Sequence, residues 1–342
     1  MRRAFVVCLG LLIAAPWLVG AQPRTRPTVL SRLVWFDRAG MRLDGIGPVA
    51  DHGNLELSPD GLHVAVAVTD RAVATRDIWI YDTKTGDRTQ LTSDPADENW
   101  LVWSSDGRRV IANSFSSTRG DLFEASVTNA ASRTMLVTDD EGKWPVSLSR
   151  DGRFLLYVTN SPTTGNDIWV LPLRRRARPY PFLQSTASEN WASFSPDGKW
   201  VAFSSTEGGQ AEVYVSSFPP NGRHWRISAD GGSQARWRRD GKEIFYLAPD
   251  RTLMAASIAT SKRELSVVEY QPLFQVNPPY GTYHAFDVTA DGQRFLVNTL
   301  VVNPTSRFVA SAGIVPFSPC SARTPQRPHC ARTYAPRTWP LR

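Results

Sequence analysis

The sequence lacks the short motifs by which common catalytic and cofactor sites are recognised. It contains no Gly-x-Ser-x-Gly or His-Glu-x-x-His segment, no Walker loop and no dinucleotide-binding glycine fingerprint. The few histidines are scattered and show no metal-ligand spacing. They are His52, His63, His224, His284 and His329. We therefore predict no catalytic residue, no metal site and no cofactor.

Acidic residues are missing from both ends of the chain. Residues 1–28 hold four Arg and no acid, and residues 318–342 hold five Arg and no acid. The formal charge is +7, and without those nine arginines about −2 remains for the rest of the chain. A nucleic-acid-binding domain carries its positive charge as a patch on the fold. We therefore predict no nucleic-acid partner.

Long apolar runs are also missing, with one exception at the N-terminus. Met1-Arg2-Arg3 precedes an apolar run from 4 to 19, and Val19-Gly20-Ala21 is a small-residue cleavage site. This pattern is typical of a secretory signal peptide, whereas a transmembrane anchor would need a longer run. We predict a signal peptide over 1–21, a linker over 22–32, and a periplasmic or secreted mature chain without stable membrane insertion.

The C-terminal tail differs in composition from the rest of the chain. Residues 318–342 contain five Pro, five Arg and two of the three Cys. Such a segment has no strand alternation, and we predict that 301–342 is irregular and disordered. Cys320 and Cys330 form either a disulfide or two separate thiols; the sequence leaves both open.

A repeat of Asp-Gly pairs dominates the rest of the sequence. Successive pairs are separated by 46, 45, 46, 43 and 51 residues, and an apolar residue follows four positions after each Asp. The aspartates are Asp60, Asp106, Asp151, Asp197, Asp240 and Asp291. Two further pairs, at Asp44 and Asp230, fall outside this phase. A period of this size indicates one supersecondary unit that is copied along the chain.

Each unit reads as four short strands. The Ser-Pro-Asp-Gly segments at 58–61 and 195–198 predict a tight turn between a first and a second strand. An acid followed by apolar and aromatic residues, as in Asp167-Ile168-Trp169-Val170, predicts a third strand, and a further turn leads to a fourth. Four strands repeated at this spacing are typical of a β-propeller blade. We predict an all-β, six-bladed propeller over 33–300.

The two ends of the repeat region complement each other. Residues 33–43 read as a third and fourth strand, and 283–298 read as a first and second strand around Asp291-Gly292. We predict that these half-blades pair and close the ring, because closure removes exposed sheet edges. The alternative is a seven-bladed pattern that is truncated at both ends.

The repeat resembles that of the TolB-type, WD40-like β-propeller family, most clearly over 195–215, 58–81 and 151–171. Segments 33–40, 236–243 and 292–299 are similar to the propeller that is attached to bacterial Ser/Thr kinases, although the kinase motifs themselves are absent. The resemblance implies a propeller fold and, because TolB works in the cell envelope, an envelope protein.

Similar loops precede the first strands and are candidates for a ligand-binding mouth of the central channel. Trp, Glu, Asn and Lys there suit a peptide or a sugar through stacking and hydrogen bonds. The candidates are Glu98, Asn99, Trp100, Glu141, Lys143, Trp144, Glu189, Asn190, Trp191, Gln234, Arg236, Tyr283 and His284. The alternative is structural, with each Trp wedged between blades and each Glu capping a turn.

These observations favour an exported, non-enzymatic and monomeric propeller that binds a protein or peptide partner in the cell envelope, or acts as a sensory domain. A second hypothesis is a propeller lyase or glycoside hydrolase that uses acids such as Glu98 and Glu189 in the channel. A third is a structural interaction scaffold.

Overall fold

The computed structural model describes residues 29–301, apart from 71, 117–118, 130–131, 139–140, 175–176, 262–263 and 280–283. The predicted signal peptide, most of the linker, the C-terminal tail with Cys320 and Cys330, and Tyr283 lie outside the described residues. The described part of the chain consists of strands, turns and irregular segments, without a helix.

The first twelve strands, in chain order, are β1 (Ser31–Asp37), β2 (Arg42–Ala50), β3 (His52–Leu57), β4 (His63–Thr69), β5 (Arg76–Asp82), β6 (Arg88–Gln90), β7 (Leu101–Trp103), β8 (Arg109–Ser116), β9 (Arg119–Ser126), β10 (Arg133–Val137), β11 (Lys143–Leu148) and β12 (Phe154–Ser161). The following twelve are β13 (Gly165–Pro172), β14 (Tyr180–Leu183), β15 (Glu189–Phe194), β16 (Trp200–Ser205), β17 (Glu212–Ser217), β18 (His224–Arg226), β19 (Ser233–Trp237), β20 (Glu243–Leu247), β21 (Thr252–Thr260), β22 (Leu265–Gln275), β23 (Phe286–Val288) and β24 (Arg294–Leu300).

The strands form six antiparallel sheets of four strands each. Blades 1 to 5 are β3–β6, β7–β10, β11–β14, β15–β18 and β19–β22, and blade 6 is β23, β24, β1 and β2, each given from the inside outward. The inner strands of blades 1 to 5 pack against one another in chain order, and β23 packs against β3. The predicted six-bladed propeller is therefore confirmed.

Blade 6 closes the ring with strands from both ends of the described chain. Strand β1 pairs antiparallel with β24, from Ser31 opposite Leu300 to Asp37 opposite Arg294. Arg38, which follows β1, donates two hydrogen bonds to the Glu243 carboxylate of blade 5, of 2.7 and 3.1 Å. The predicted pairing of the two half-blades is confirmed, and the seven-bladed alternative is excluded.

The phased Asp-Gly pairs form the turns between the first and second strands. In blade 1, the Ser58 hydroxyl donates to Asp60 Oδ1 (2.6 Å), and the backbone N–H of His63 donates to the same hydroxyl (2.9 Å). Gly61 has a φ of 73°, which an L side chain rarely adopts. The same Ser/Thr–Asp bond recurs at Ser104–Asp106, Ser149–Asp151, Ser195–Asp197 and Thr289–Asp291. We call the side of the ring that carries these turns the turn face, and the opposite side, where the chain enters the inner strands, the loop face.

The hydrophobic core lies between adjacent blades. One cluster combines Val146 and Leu156 of blade 3 with Phe203 and Tyr214 of blade 4. The middle strands are covered on both faces, so β16 is buried along its whole length and reads as a continuous apolar and small-residue run. This stacking fixes the inner strands around a central channel.

Candidate functional site

Each four-residue Asp-Gly turn begins with a Ser, Thr or Arg two positions before its Asp, and one inner-strand residue lies two positions before that first residue. These residues are Glu56, Val102, Ser147, Ser193, Arg236 and Asp287. Glu56 Oε2 accepts a hydrogen bond from the backbone N–H of Trp103 in the next blade (3.1 Å). Asp287 Oδ2 accepts one from the backbone N–H of Leu57 in blade 1 (2.8 Å). The Ser147 hydroxyl accepts one from the backbone N–H of Phe194 in blade 4 (3.1 Å). These side chains therefore join neighbouring blades at the channel.

A cavity of about 690 Å³ opens at this level on the turn face, and all six blades line it. We call it the mouth cavity. The inner-strand residues Glu56, Ser147, Ser193 and Asp287 form its floor, because they lie deeper than the turns. Its rim is made of aromatic, proline and charged residues, which are Trp35, Trp103, Trp237, Pro59, Pro196, Lys84, Arg150, Arg239 and Arg294. This combination of apolar walls and a few polar groups is typical of binding sites.

Two carboxyl groups and one guanidinium meet at the floor. Arg236 Nε lies 3.6 Å from Asp287 Oδ1, and the Arg236 side chain is 10% exposed. Burial and the neighbouring Asp287 carboxylate raise the pKa of Glu56 to about 8, although Arg236 opposes the shift. Burial also raises the pKa of Asp287. Because one guanidinium does not balance both carboxylates, the protonated form of Glu56 is favoured.

The first group of predicted site residues lies in blade 2, before β7. The Glu98 side chain is fully buried, and its Oε1 accepts a hydrogen bond from Arg133 Nη1 (3.0 Å). Burial raises the pKa of Glu98 to about 8. Asn99 Oδ1 accepts a hydrogen bond from the backbone N–H of Asn54 in blade 1 (3.3 Å), and Trp100 belongs to a core cluster. Asn99 and Trp100 therefore join blade 2 to other blades, whereas the Glu98–Arg133 pair lies within blade 2.

The second predicted group lies at the entry to blade 3. Glu141 is exposed, whereas Lys143 is buried and donates from Nζ to the Glu141 carbonyl oxygen (3.0 Å). Trp144 is half-buried, and its ring stacks on Phe115 with centroids 5.7 Å apart. Glu141 and part of the Trp144 ring are therefore the accessible members of this group.

The third predicted group lies at the entry to blade 4. Glu189 is buried, accepts a hydrogen bond from the Ser185 hydroxyl (2.5 Å), and has a pKa that burial raises. Asn190 Oδ1 accepts a hydrogen bond from Asn166 Nδ2 (3.2 Å). Trp191 is half-buried with a φ of 51°, so its backbone adopts the left-handed conformation.

The last predicted group comes from blades 5 and 6. Gln234 Oε1 accepts a hydrogen bond from the backbone N–H of Ala285 (2.8 Å), which joins these blades. His284 is buried, and its ring meets that of Trp100 edge-on with centroids 5.3 Å apart. Arg236 lies at the other end of its strand, beside the mouth cavity floor.

Eight of the predicted residues are thus buried: Glu98, Asn99, Trp100, Lys143, Glu189, Gln234, Arg236 and His284. The structure brings Trp100 and His284 into contact, and otherwise distributes the predicted groups around the ring. Their role in ligand binding stays a prediction.

Sequence reasoning missed the floor of the mouth cavity. Glu56 and Asp287 precede the turns by two positions, a register that recurs in every blade. The turn motif therefore already marks these positions in the sequence. The rim arginines Arg150 and Arg239 directly precede the turn aspartates, and they too can be located from the motif.

Among the described residues, no group of three or more His, Cys, Asp and Glu side chains is arranged to hold a metal ion. In the same part of the chain, no helix has the length and apolar character needed to cross a bilayer.

Comparison with known proteins places the fold among solved β-propellers. No family model matches the sequence. No curated protein matches it at a significant level. A protein assigned as TolB from Agrobacterium tumefaciens is similar over 81% of this chain and 100% of its own, with 14% identity and a TM-score of 0.61. TolB from Acinetobacter baumannii is similar over 71% of this chain and 66% of its own, with 16% identity and a TM-score of 0.55.

An oligogalacturonate lyase from Vibrio parahaemolyticus is similar over 77% of this chain and 76% of its own, with 14% identity and a TM-score of 0.51. At these identities the likeness extends to the propeller fold alone. The chain is accordingly a six-bladed β-propeller whose structural neighbours include TolB proteins.

Proposed function

We propose that this chain is an exported, non-enzymatic propeller that binds a protein or peptide partner in the cell envelope, either as a recognition module or as a sensory domain. The observation that carries this proposal is the mouth cavity, which all six blades line and which opens to solvent. Its lining combines tryptophan and proline with charges of both signs, a composition that suits an extended polypeptide segment.

Export and domain organisation are part of the same proposal. Residues 1–21 act as the signal peptide, 22–32 as a linker, 33–300 as the propeller and 301–342 as a C-terminal tail. The mature protein is a periplasmic or secreted monomer. The fold similarity to TolB supports an envelope role, and the segments that resemble kinase-attached propellers support a sensory one.

The loop face is the second candidate for the binding site. Its accessible predicted residues are Glu141, Trp144, Asn190 and Trp191, while the buried Trp100 is better treated as part of the core. A variant that tests this face should therefore change Trp144 and Trp191 and leave Trp100 intact.

A pull-down from envelope extract, with the mature propeller as bait, tests the proposal. Ser193→Tyr adds bulk to the floor of the mouth cavity, and the Trp144→Ala, Trp191→Ala double variant alters the loop face. We expect the first variant to lose the partner and the second to retain it, with both unfolding cooperatively like the wild type. The reverse result would move the site to the loop face. Retention by both variants would reject binding at either mouth of the channel.

A lyase or glycoside hydrolase is the second candidate function. Glu98 and Glu189 do not line the mouth cavity, so the carboxyl pair that a substrate reaches from it is Glu56 and Asp287. A protonated carboxyl beside a second carboxyl is the arrangement that general acid–base chemistry uses. Incubation with polygalacturonate and measurement of new chain ends tests this function. Turnover that Glu56→Gln abolishes would favour the enzyme over the binding module.

A further inference from the structure

Three cavities adjoin on the turn face, and two side chains line all of them. The mouth cavity, a cavity of about 570 Å³ between blades 3 and 4, and one of about 240 Å³ between blades 4 and 5 share Arg150 and Pro196. Together they form a groove that runs from the channel mouth outward across blades 3 to 5, and we call it the turn-face groove. A groove of this extent accommodates an extended chain rather than a small molecule.

Several cations along the groove have no carboxylate partner among the described residues. Arg239 Nη1 donates to the carbonyl oxygen of Pro59 (3.0 Å), across the mouth, and the Arg294 guanidinium lies 5.1 Å from the centre of the Trp35 ring. The side chains of Lys84 and Arg150 make no hydrogen bond or ion pair within the described part of the chain. The unbalanced cations are Lys84, Arg150 and Arg239, whereas Arg294 interacts electrostatically with Asp291.

The turn aspartates that line the groove are already bound within the protein. Asp151 accepts hydrogen bonds from Ser149 (2.7 Å) and from Arg153 Nε (2.6 Å). Asp197 and Asp240 are also paired, with Lys199 at 3.3 Å and Arg238 at 2.7 Å. Asp60 and Asp291 are bound by their own turns, and Asp291 also interacts electrostatically with Arg294. Three unbalanced cations against Asp60 alone leave the groove with an excess of positive charge.

We propose that the turn-face groove binds an acidic, extended segment of a protein partner, whose carboxylates pair with Arg150 and Arg239 while its apolar side chains contact Trp237 and Pro196. This inference rests on the proposed function and specifies the partner's chemistry. A guanidinium binds a carboxylate through two parallel hydrogen bonds, and a ligand carboxylate competes directly with the Pro59 carbonyl for Arg239. The partly neutral Glu56 at the floor limits repulsion of the incoming segment.

The test uses defined probes and the folded mature protein. A fluorescein-labelled decapeptide of alternating aspartate and leucine is titrated by anisotropy at low and at physiological ionic strength, beside the same peptide with lysine for aspartate. We expect binding of the acidic peptide alone, weakening with salt because the contacts are partly exposed. The Arg150→Ala, Arg239→Ala double variant should weaken binding by about 10-fold or more. The control is Arg226→Ala, which removes an exposed arginine at the outer strand of blade 4.

Four results would overturn the inference. One is equal binding of the lysine peptide, and another is unchanged affinity in the double variant whose unfolding matches the wild type. A third is polygalacturonate binding more tightly than the peptide through the same two arginines, which would assign the groove to an acidic polysaccharide. The fourth is an envelope partner that the double variant still captures, which would reject the acidic class while leaving the proposed function intact.

Discussion

The two ends of the inner strands differ in what their polar side chains do. At the loop face, Glu98, Asn99 and Gln234 are buried and hydrogen-bonded, Glu98 within its own blade and the other two to a neighbouring blade. At the turn face, the same strands end around an open cavity, and Arg150 on its rim is exposed. The difference shows that polar residues in a repeated loop can serve assembly of the ring, whereas the accessible end is the one suited to recognition.

The largest expected effect is a loss of stability at the loop face. Trp100→Ala should lower the free energy of unfolding by about 3–5 kcal/mol, because it empties space in a closed core. Trp191, at the equivalent place in blade 4, is half-buried, so Trp191→Ala should cost clearly less. Denaturant unfolding of both variants measures the difference. Equal costs would contradict the structural role assigned to Trp100.

A smaller, pH-dependent effect is expected at the turn-face end of β3. The pKa of Glu56 is raised to about 8 in the folded protein, above its ordinary value of 4.5. Its contribution to stability is therefore full below pH 4.5 and is lost as the pH rises through about 8. The stability of the wild type relative to Glu56→Gln should fall by about 3–4 kcal/mol between pH 5 and pH 9. Glu269→Gln, at an exposed carboxyl, is the control; a flat difference for Glu56→Gln would be inconsistent with its burial.

The loop-face end of the same strand should respond to acid. His52 lies 3.2 Å from the Ser31 hydroxyl, and burial lowers its pKa from 6.5 to about 4. Its contribution is therefore present above pH 6.5 and is lost as the pH falls through about 4. The stability of the wild type relative to His52→Gln should decrease by about 2–3 kcal/mol from pH 7 to pH 4. Thermal unfolding across this range measures it, and an increase towards acid would refute the assignment.

The smallest expected effect is at the rim of the mouth cavity. Arg150→Ala should leave the free energy of unfolding within about 0.5 kcal/mol of the wild type, because the side chain is exposed and makes no described bond. Chemical unfolding checks this value. A cost comparable to that of Trp100→Ala would mean that both faces are structural, and the contrast between them would disappear.

Much of the fold could be predicted because turn chemistry is local. The flanking residues distinguished the phased Asp-Gly pairs from Asp44-Gly45. In the structure, Asp44-Gly45 lies inside β2 rather than in a turn. The last two phased aspartates are 51 residues apart, the longest spacing in the repeat. The extra residues lie in the outer part of blade 5, where β21 and β22 have nine and eleven residues. Length differences in outer strands do not disturb the register of the inner ones.

The candidate site was less predictable, because burial and proximity depend on closure of the ring. The similar loops before β7, β11 and β15 identified residues at one end of the channel, but nothing in their spacing showed that Glu98 and Glu189 would be buried. Glu56 and Asp287 were not singled out, because they come together only when the ring closes. Asp287 binds the backbone N–H of Leu57, the residue after Glu56, which lies 230 positions away in the sequence.

By itself, the sequence determined the number of blades, the order of their strands and the way in which the two half-blades pair. These follow from a repeated turn and from alternation within short strands, both of which act over a few residues. Only the tertiary structure decided which polar side chains of the inner strands and their loops are buried and which line an open cavity. That outcome depends on contacts such as Arg239 with Pro59, 180 residues apart, which exist only once the ring has closed.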